Sequence, residues 1–402
     1  MNSKLLGGIL LIVGTTIGAG MLALPIATAQ LGFWGATGLL IACWAIMTIC
    51  AFLFLEVNLW LPPNTNLISM AGATLGIPGQ VISWVVYLVL LYSIISAYIA
   101  GGGDLFHYVL INAGFNISTP IASLLFTSLF GSIVYFGIRF VDYANRALMF
   151  GKLGAFVLLV ILMLPFVSSA NLNRVEFQHL AAPTSISVTI VAFTCLMIIP
   201  SLRTYFGEDV KSLRKAIFYG MLIPLICYIA WDLVTMGVIP YLGQHGLQQM
   251  LTSSSSNSDL VSSLIRLIQS PKIALLAKFF TSICMATSFL SVSLGLSDFL
   301  ADGLRVKKSG LGNVFIFSLT YVPPLLIVLF YPDAFIRGLN YAGLSCFILM
   351  IFFPALMAWR GRYSRKLSLT KVGYQVKGGK FLLAILLVFA SFMMGFGLEN
   401  AL

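Results

Sequence analysis

Long apolar runs, separated by short polar or charged segments, dominate this sequence and restrict it to one class of fold. A helix needs about 20 consecutive apolar residues to cross the hydrocarbon core of a bilayer. Eleven runs approach or exceed that length, near residues 5–31, 34–61, 80–103, 119–138, 147–167, 184–202, 216–240, 273–301, 311–331, 334–358 and 381–399. Because lipid offers no partner to backbone polar groups, each run is predicted to be helical. The sequence therefore predicts an all-α polytopic membrane protein, with residues 1–402 forming a single transmembrane domain.

The composition excludes the main soluble alternatives. Hydrophobic residues make up 59% of the chain and charged residues 9%, against roughly a quarter charged in a soluble domain. A soluble enzyme, a nucleic-acid-binding domain and a disordered chain are all excluded, because each needs far more charge. The sequence contains neither an HExxH nor a GxSxG pattern, so no catalytic motif of a membrane-embedded enzyme is recognised. The six cysteines form no CxxC pair and the three histidines lie far apart, so no metal site is predicted, and nothing indicates a cofactor.

The distribution of Lys and Arg predicts the orientation. With the N-terminus in the cytoplasm, 18 of the 23 basic residues fall on the cytoplasmic side and five on the other. Such a bias is typical of inner-membrane proteins. An odd number of spans then places the C-terminus in the periplasm. Two longer loops, residues 62–79 and 241–272, are each predicted to contain a short interfacial helix.

The first apolar run contains a cluster of helix-breaking residues near mid-membrane. Residues 14–25 read Gly-Thr-Thr-Ile-Gly-Ala-Gly-Met-Leu-Ala-Leu-Pro. Three glycines in seven residues weaken a helix, and Pro25 removes a further hydrogen bond. Close helix packing through the GxxxG pair Gly14 and Gly18 is the alternative explanation. Since unwound backbone at this depth is tolerated only beside a cavity or inside protein, we predict an interrupted helix.

The sixth run contains a comparable break. Residues 193–201 read Phe-Thr-Cys-Leu-Met-Ile-Ile-Pro-Ser, and residues 196–200 loosely resemble residues 21–25. Interrupted helices at matching positions of two halves indicate an inverted-repeat transporter. The N-terminal ends of half-helices attract a carboxylate, while freed carbonyls attract an ammonium group or a cation. A zwitterionic amino acid satisfies both kinds of end and is therefore the predicted ligand class.

The glycine-rich stretch of the first run resembles the signature of the bacterial hydroxy/aromatic amino acid permeases. Other stretches agree with this family in order and spacing, from about residue 4 to 395: Leu55–Val57, Ala97–Ile99, Asp232–Gly237, Ala286–Leu290, Leu294–Leu296, Tyr341–Gly343 and Tyr374–Gly379. The family is similar to the amino acid–polyamine–organocation superfamily.

The resemblance implies a LeuT-like five-plus-five inverted repeat with an eleventh transmembrane helix. The first repeat would span residues 5–167, the second residues 184–358, and the additional helix residues 381–399. It also implies proton-coupled symport of an aromatic amino acid, with tyrosine as the first candidate, across the inner membrane by alternating access. The implied partners are thus the amino acid, protons and membrane lipid. A sodium-coupled symporter and an exchanger remain alternatives.

The resemblance also assigns the substrate-binding residues of the two breaks. Thr16, Ile17, Gly18, Ala19 and Gly20 are implied to face the substrate carboxylate. Phe193, Thr194 and Cys195 are implied to face its ammonium group.

In one stretch the sequence departs from the family. Members of the family carry a Gly-Phe-His-Gly type of stretch before the Pro-Ser pair, whereas residues 195–199 here read Cys-Leu-Met-Ile-Ile. Because this wall is more apolar, phenylalanine and tryptophan are alternatives to tyrosine.

Lys152 is the main candidate for proton coupling. It begins the fifth run, where an ordinary positive-inside flank is the alternative interpretation. The resemblance implies that its ammonium group lies between the first and eighth spans, where sodium-coupled relatives of this fold hold sodium. A desolvated lysine can lose its proton near neutral pH. Thr287, Ser288 and Ser291 of the eighth span would supply nearby hydroxyl groups.

Two carboxylates lie inside apolar runs, and such residues are functional candidates by default. Glu56, near the inner third of the second run, is predicted to act in proton relay or gating. Its structural alternative is a pairing with a helix end or with Asn58. Asp232, in the seventh run, is a second candidate of the same kind.

Four further residues are predicted to surround the substrate side chain. Tyr92 and Ser96 are four residues apart and share one helix face, while Phe289 and Tyr341 belong to the eighth and tenth spans. Packing is the alternative explanation for aromatic residues in membrane helices. Tyr98 falls off the face shared by Tyr92 and Ser96, nearer the outside, and is not predicted to take part.

Overall fold

The computed structural model describes residues 3–63, 65–136, 138–173, 182–243, 246–253, 255–331, 334–365 and 374–399. Arg174, Lys366 and Lys371, which contribute to the charge bias, lie outside the described residues. Within these ranges the chain is helical and contains no strand. The helices are α1 Ser3–Thr16, α2 Ala19–Thr28, α3 Gly32–Leu59, α4 Leu67–Leu75, α5 Ile77–Asn112, α6 Thr119–Tyr135, α7 Ile138–Met163, α8 Ser169–Leu172, α9 Pro183–Ala192, α10 Ile199–Phe206, α11 Val210–Val238, α12 Leu247–Met250, α13 Ser256–Ile268, α14 Pro271–Leu304, α15 Leu311–Phe330, α16 Ala334–Cys346, α17 Phe353–Tyr363 and α18 Gly379–Glu399.

Nine helical segments of the described chain are long and apolar enough to cross a bilayer. Two shorter apolar helices, Lys4–Thr16 and Thr119–Tyr135, accompany them. The prediction of a polytopic all-α membrane protein is therefore confirmed. The nine segments include Ala19–Leu59, which joins α2 to α3. Those two helices meet at Gly32, whose φ of +66° favours glycine.

The two predicted helix interruptions are both present. The first run is divided between α1 and α2 at Ile17 and Gly18. The sixth run is divided between α9 and α10, which are joined by Phe193–Cys195 and a 3₁₀ turn at Leu196–Ile198. Both long loops contain helices as predicted: α4 in the first, α12 and α13 in the second.

The broken segments lie at the centre of the molecule. Of the most apolar stretch of Pro183–Phe206, 72% is buried, against 22% for Gly379–Gly397 at the periphery. Every residue of α2 is buried. Since α2 packs directly against α9, the two interruptions are brought together inside a surrounding layer of longer helices. Between α16 and α17 the chain widens into a π-helix at Phe347–Phe352, in a segment that is as buried as the second break.

Candidate functional site

Backbone groups freed at the first break are bound by side chains from three other helices. The Ile17 carbonyl accepts a hydrogen bond from Lys152 Nζ at 2.6 Å. The Ala19 N–H donates to Ser288 Oγ at 2.9 Å. The Tyr228 hydroxyl donates to the Thr16 carbonyl at 2.7 Å. The break is therefore a defined structure in which side chains replace the missing helical hydrogen bonds.

Gly18 allows the close approach of α14 to this break. A Cβ atom on Gly18 would collide with Ser288 Oγ, the atom that receives the Ala19 N–H. Only glycine therefore fits at position 18 without displacing Ser288, so the requirement for glycine here is steric.

Lys152 is almost completely buried, with 1% of its surface exposed. Besides the Ile17 carbonyl, its ammonium group lies 3.4 Å from Thr287 Oγ1. Thr287 in turn donates to the Ile283 carbonyl at 2.8 Å. Burying an ammonium group is costly unless oxygen atoms replace its water shell. Here the oxygen atoms come from the broken helix and from α14, so the position of the cation depends on the break.

The second break lies directly against the first. A Cβ atom on Gly20 would lie 3.4 Å from Ala192 Cα, which is ordinary van der Waals contact. The Tyr228 hydroxyl lies 2.7 Å from the Ala192 carbonyl as well as from the Thr16 carbonyl. One hydroxyl on α11 thus connects the ends of α1 and α9, which belong to different broken helices.

Side chains of the second break make softer contacts. Thr194 Oγ1 lies 3.5 Å from Cys346 Sγ, and the Cys195 thiol lies 3.0 Å from Met221 Sδ. The Phe193 ring is fully buried and packs on the Tyr228 ring with their centroids 5.1 Å apart. Sulfur contacts of this kind are weak and adaptable.

A cavity of about 520 Å³ opens beside the two breaks. Its wall includes Thr194 and Cys195 of the second break, Thr287 and Ser288 of α14, and Tyr98 of α5. This volume is within the usual range for small-molecule sites, about 300–1,000 Å³. The wall combines an apolar majority with several hydroxyl groups, as a site for an amphipathic small molecule requires.

The cavity extends from the last turn of α1 to α10 and α14. It reaches Gly14 and Thr15 on α1, Ser201 on α10 and Asp298 near the end of α14. No residue of α2 lines it, and every residue of α2 is buried. The cavity therefore lies on the α1 side of the first break and not on the α2 side.

A second cavity, of about 560 Å³, lies on the other side of α1 and reaches Lys152. It shares Gly14, Thr15, Thr287 and Ser291 with the first cavity. Lys152 is therefore buried but borders a cavity next to the first break.

The structure brings one set of predicted residues together and separates another from it. Around the breaks it gathers Thr16, Ile17, Gly18, Ala19, Gly20, Lys152, Thr287, Ser288, Phe193, Thr194 and Cys195. The four residues predicted to surround the substrate side chain do not line the central cavity.

Each of those four residues has another environment. The Tyr92 hydroxyl donates to the Leu319 carbonyl of α15 at 2.7 Å. Ser96 and Tyr341 share a separate cavity of about 330 Å³ with Arg337. Phe289 is fully buried in an aromatic cluster, with its ring centroid 5.6 Å from that of Tyr321. The shared helix face of Tyr92 and Ser96 therefore does not place them at the breaks.

Glu56 is fully buried and bound by Arg362 in a bidentate ion pair. Arg362 Nε and one terminal guanidinium nitrogen lie 2.7 and 2.5 Å from the two carboxylate oxygens. The Val376 N–H also donates to the carboxylate at 2.8 Å. Of the structural alternatives, pairing with Asn58 does not occur, because the Asn58 side chain donates to the Thr65 carbonyl and accepts from Arg203. A role of Glu56 in proton relay stays a prediction.

Two tyrosines of this region were missed by sequence reasoning. Tyr228 contacts both breaks but lies in an ordinary apolar run without a local signal. Tyr98 lines the central cavity although its position on α5 suggested otherwise. The family resemblance at Ala97–Ile99 was the available signal for Tyr98.

The comparisons with known proteins agree on one family. The sequence profile of the tryptophan/tyrosine permease family matches residues 1–396. The tyrosine-specific transport system 1 of Haemophilus influenzae is 35% identical over 387 residues, covering 96% of this chain and 94% of the relative. The tryptophan-specific transport protein of the same organism is 32% identical over 399 residues, with the same coverage. The glutamine transporter 2 of Aliivibrio fischeri is 30% identical over 394 residues, covering 97% and 98%.

Proposed function

This chain belongs to the tryptophan/tyrosine permease family, and from that membership we propose that it is a proton-coupled symporter importing an aromatic amino acid, with tyrosine as the first candidate. Its relatives are named as transport systems and permeases, so it is a multi-pass membrane transporter and not an enzyme. The proposal adds the coupling ion, the direction and the substrate to that class.

The environment of Lys152 is the observation that carries proton coupling. Its ammonium group occupies a position bounded by the Ile17 carbonyl and Thr287 Oγ1, both of which are cation-binding oxygen atoms. A lysine at this position carries a positive charge when its amine is protonated and no charge when the amine has lost one proton. When the amine is protonated it binds the Ile17 carbonyl and fixes the first break. When it is neutral this contact weakens, and α1 is released from α7.

Substrate recognition is proposed to use the broken backbones. The segment Thr16–Gly20, at the start of α2, is assigned to the substrate carboxylate, because a helix N-terminus attracts negative charge. Phe193–Cys195, at the end of α9, is assigned to the ammonium group, because the C-terminal end of a helix presents carbonyl oxygens. The substrate side chain then extends into the central cavity beside Tyr98.

The inverted repeat and the orientation belong to the same proposal. Repeats over residues 5–167 and 184–358 would each begin with a broken helix, and residues 381–399 would add an eleventh span. Contact between α2 and α9 at the centre supports this pairing. With the N-terminus in the cytoplasm and the C-terminus in the periplasm of an inner membrane, the cavity opens to the cytoplasm, as expected of an inward-facing state.

Tryptophan is a second candidate substrate. Relatives named for tyrosine and for tryptophan have similar identities, 35% and 32%. The apolar stretch 195–199 favours a large apolar side chain over one with a hydroxyl group, since it provides no polar side chain beyond the Cys195 thiol. Phenylalanine is an alternative on the same ground, and sodium-coupled symport or exchange is the alternative mechanism.

Purified protein in liposomes tests this proposal. An inward proton gradient without sodium is imposed, and uptake of labelled tyrosine, tryptophan and phenylalanine is followed. We expect accumulation of at least one of them, abolished when a protonophore collapses the gradient. Uptake that occurs with external sodium but not when choline replaces it would establish sodium coupling. Uptake that occurs only when the liposomes are preloaded with unlabelled amino acid would establish exchange. Either result would overturn the proposal.

A further inference from the structure

A buried carboxyl group on α11 has no partner that explains its presence. Asp232 has 0% of its surface exposed. Among the described residues, neither of its carboxyl oxygens has a hydrogen-bond partner. The hydroxyl of Thr235, one turn further along the same helix, is buried and unpartnered in the same sense. Buried polar atoms are normally satisfied, so this cluster calls for a function.

The position of Asp232 follows from the packing of α1 against α11. A Cβ atom on Gly8 would lie 3.3 Å from Ala216 Cβ, and one on Gly220 would lie 2.7 Å from Ile12 Cβ. The Thr16 carbonyl then meets the Tyr228 hydroxyl. Residue numbers increase together along this contact, so the two helices run in the same direction.

The next turn of α11 therefore reaches the first break. Asp232 lies four residues after Tyr228, about 6 Å further along the helix axis and on the same face. Helix α11 also packs against α2, which continues the broken helix. Asp232 is thus placed beside the start of α2, just past the point at which Tyr228 connects the two breaks.

The charged groups on the described elements packed against α11 can be named. The elements packed on α11 are α1, α2, α3, α7, α8, α10, α13 and the turn Leu164–Phe166. Their ionisable charged residues, with those of α11 itself, are Lys4, Glu56, Arg139, Asp142, Arg146, Lys152, Arg203, Lys211, Arg214, Lys215, Asp259 and Arg266. The side chains of Arg139, Asp142 and Arg146 lie outside the described structure.

Of the described side chains in that set, none bonds to Asp232. Lys152 is bound to Ile17, Glu56 to Arg362, and Asp259 to Ser253. Arg203 is bound to the Leu61 carbonyl. Lys4 and Arg266 are exposed, and the basic residues of α11 lie in its first two turns, more than four turns before Asp232. The nearest titratable neighbour on the same face is the Tyr228 hydroxyl, which is committed to two carbonyls.

We propose that Asp232 is a second proton-binding residue of the transport cycle, and that it carries a proton in the state described here. An ionised carboxylate without counter-ion or hydrogen-bond donor would be strongly unfavourable in this environment, whereas a neutral carboxylic acid is tolerated. The O–H bond forms when hydronium that enters after α2 has moved away gives its proton to the carboxylate and leaves water. It breaks when a water molecule on the cavity side accepts that proton and becomes hydronium.

The adjoining break supplies the link to transport. Tyr228 holds α1 and α9 on the same face of α11 that carries Asp232. A movement of the broken helices away from α11 would free Tyr228 and admit water to Asp232 together. This inference rests on the proposed proton-coupled transport and adds a carboxyl group to the coupling by Lys152.

The test compares Asp232→Asn with the wild type in liposomes. Asparagine has nearly the shape of the neutral acid, but its amide does not ionise and so cannot take up and release a proton during transport. We expect accumulation driven by the proton gradient to fall at least tenfold, while exchange of labelled for unlabelled substrate stays within twofold of the wild type. Asp232→Glu restores the carboxyl group and is expected to recover part of the accumulation. The matched control is Asp302→Asn, which removes an exposed carboxylate and is expected to change neither activity.

An infrared spectrum separates this inference from the proposed function. The purified wild type at pH 7 is expected to show the carbonyl band of a protonated carboxylic acid, which Asp232→Asn removes. Wild-type accumulation in Asp232→Asn would overturn the inference. So would a wild-type spectrum without a protonated carboxyl band, even if Asp232→Asn failed to fold. If the wild type shows no proton-driven uptake, the proposed function fails while the band still tests the protonation of Asp232.

Discussion

The two helix breaks lie in contact, yet different chemistry holds each of them. At the first break, freed backbone groups bond to an ammonium group and to two hydroxyl groups, from Lys152, Ser288 and Tyr228. These bonds are directional and short, between 2.6 and 2.9 Å. Such bonds fix a geometry and are costly to leave unmade.

At the second break, side-chain contacts are dominated by sulfur. Thr194 approaches Cys346, and Cys195 approaches Met221, at 3.5 and 3.0 Å. Thiols and thioethers are polarisable and adapt to different neighbours at little cost. The first break is thus held mainly by directional hydrogen bonds, whereas the second combines one such contact, from Tyr228 to the Ala192 carbonyl, with adaptable sulfur contacts. We therefore expect coupling to depend on the first break and selectivity on the second.

The largest expected effect comes from removing the charge at the first break. Lys152→Met keeps much of the side-chain length but cannot bind a proton. A buried hydrogen bond to a charged group contributes about 1.5–3 kcal/mol, and the proton itself is lost. We expect proton-driven accumulation to fall to the level of empty liposomes. The variant should fold, with a moderate loss of thermal stability, because the Ile17 carbonyl loses its hydrogen-bond donor while the cost of burying a cation is removed.

Lys152→Arg sharpens this result. A guanidinium group stays charged at any accessible pH, so it can bind the Ile17 carbonyl but cannot complete a protonation cycle. We expect substrate binding without accumulation, measured by calorimetry and by uptake. Unchanged accumulation in Lys152→Met would reduce Lys152 to a basic residue at a membrane boundary.

The next effect tests the steric requirement at the first break. Gly18→Ala places a methyl group against Ser288 Oγ and displaces the acceptor of the Ala19 N–H. Overpacking of this kind costs about 1–3 kcal/mol, which corresponds to a loss of affinity of about 5- to 150-fold. Gly20→Ala is the matched comparison, because its methyl group meets Ala192 at ordinary contact distance, and we expect a loss below about threefold.

A double variant distinguishes the steric mechanism from a general one. Gly18→Ala combined with Ser288→Gly removes the collision and should recover binding relative to Gly18→Ala alone. Equal losses in Gly18→Ala and Gly20→Ala would show that the first break is as tolerant as the second, and the comparison between them would fail. Ligand-dependent thermal shifts measure all of these variants in detergent.

Tyr228→Phe removes a single oxygen atom that contacts both breaks. The variant removes the hydroxyl that meets the Thr16 and Ala192 carbonyls and keeps the ring that packs on Phe193. A lost neutral hydrogen bond costs about 0.5–1.5 kcal/mol, so we expect affinity to fall about two- to tenfold for every substrate alike. A loss confined to one substrate would place Tyr228 in selectivity instead of in the support of the breaks.

The breaks themselves were predictable from sequence because their causes are local. The glycines around Gly18 weaken a helix wherever it packs, and Pro200 lies in the first turn of α10, just after the second break. Pro25 was expected to add to the first interruption, but it lies inside the continuous helix α2. Lys152 was predicted from the family resemblance, and its contact with the first break agrees with that expectation. A family pattern thus carries long-range information that composition and periodicity lack.

What sequence could not give is the rotation of long helices about their axes. Tyr92 and Ser96 do share a face of α5, but that face meets α15 and a separate cavity. Tyr98, two residues on, faces the central cavity. The partner of Glu56 was missed for a similar reason. Arg362 is 306 residues away in the sequence, and from the sequence alone it is indistinguishable from the other basic residues predicted on the cytoplasmic side. Tertiary packing decides both cases, and no local pattern encodes it.

The smallest expected effect concerns the second break and separates selectivity from coupling. Cys195→Ala removes a weak thiol contact with Met221, and Thr194→Val removes a long contact with Cys346. We expect each to change the ratio of tyrosine to tryptophan affinity by about two- to fivefold, corresponding to less than about 1 kcal/mol. The ratio of accumulated to external substrate under a fixed proton gradient should stay unchanged.

Ser288→Ala at the first break provides the opposite case: it should weaken the binding of both amino acids equally. A competition series with the two amino acids measures the ratio. If Cys195→Ala or Thr194→Val altered the accumulation ratio, the second break would take part in coupling, and the division of roles inferred from the polar and sulfur contacts would be wrong.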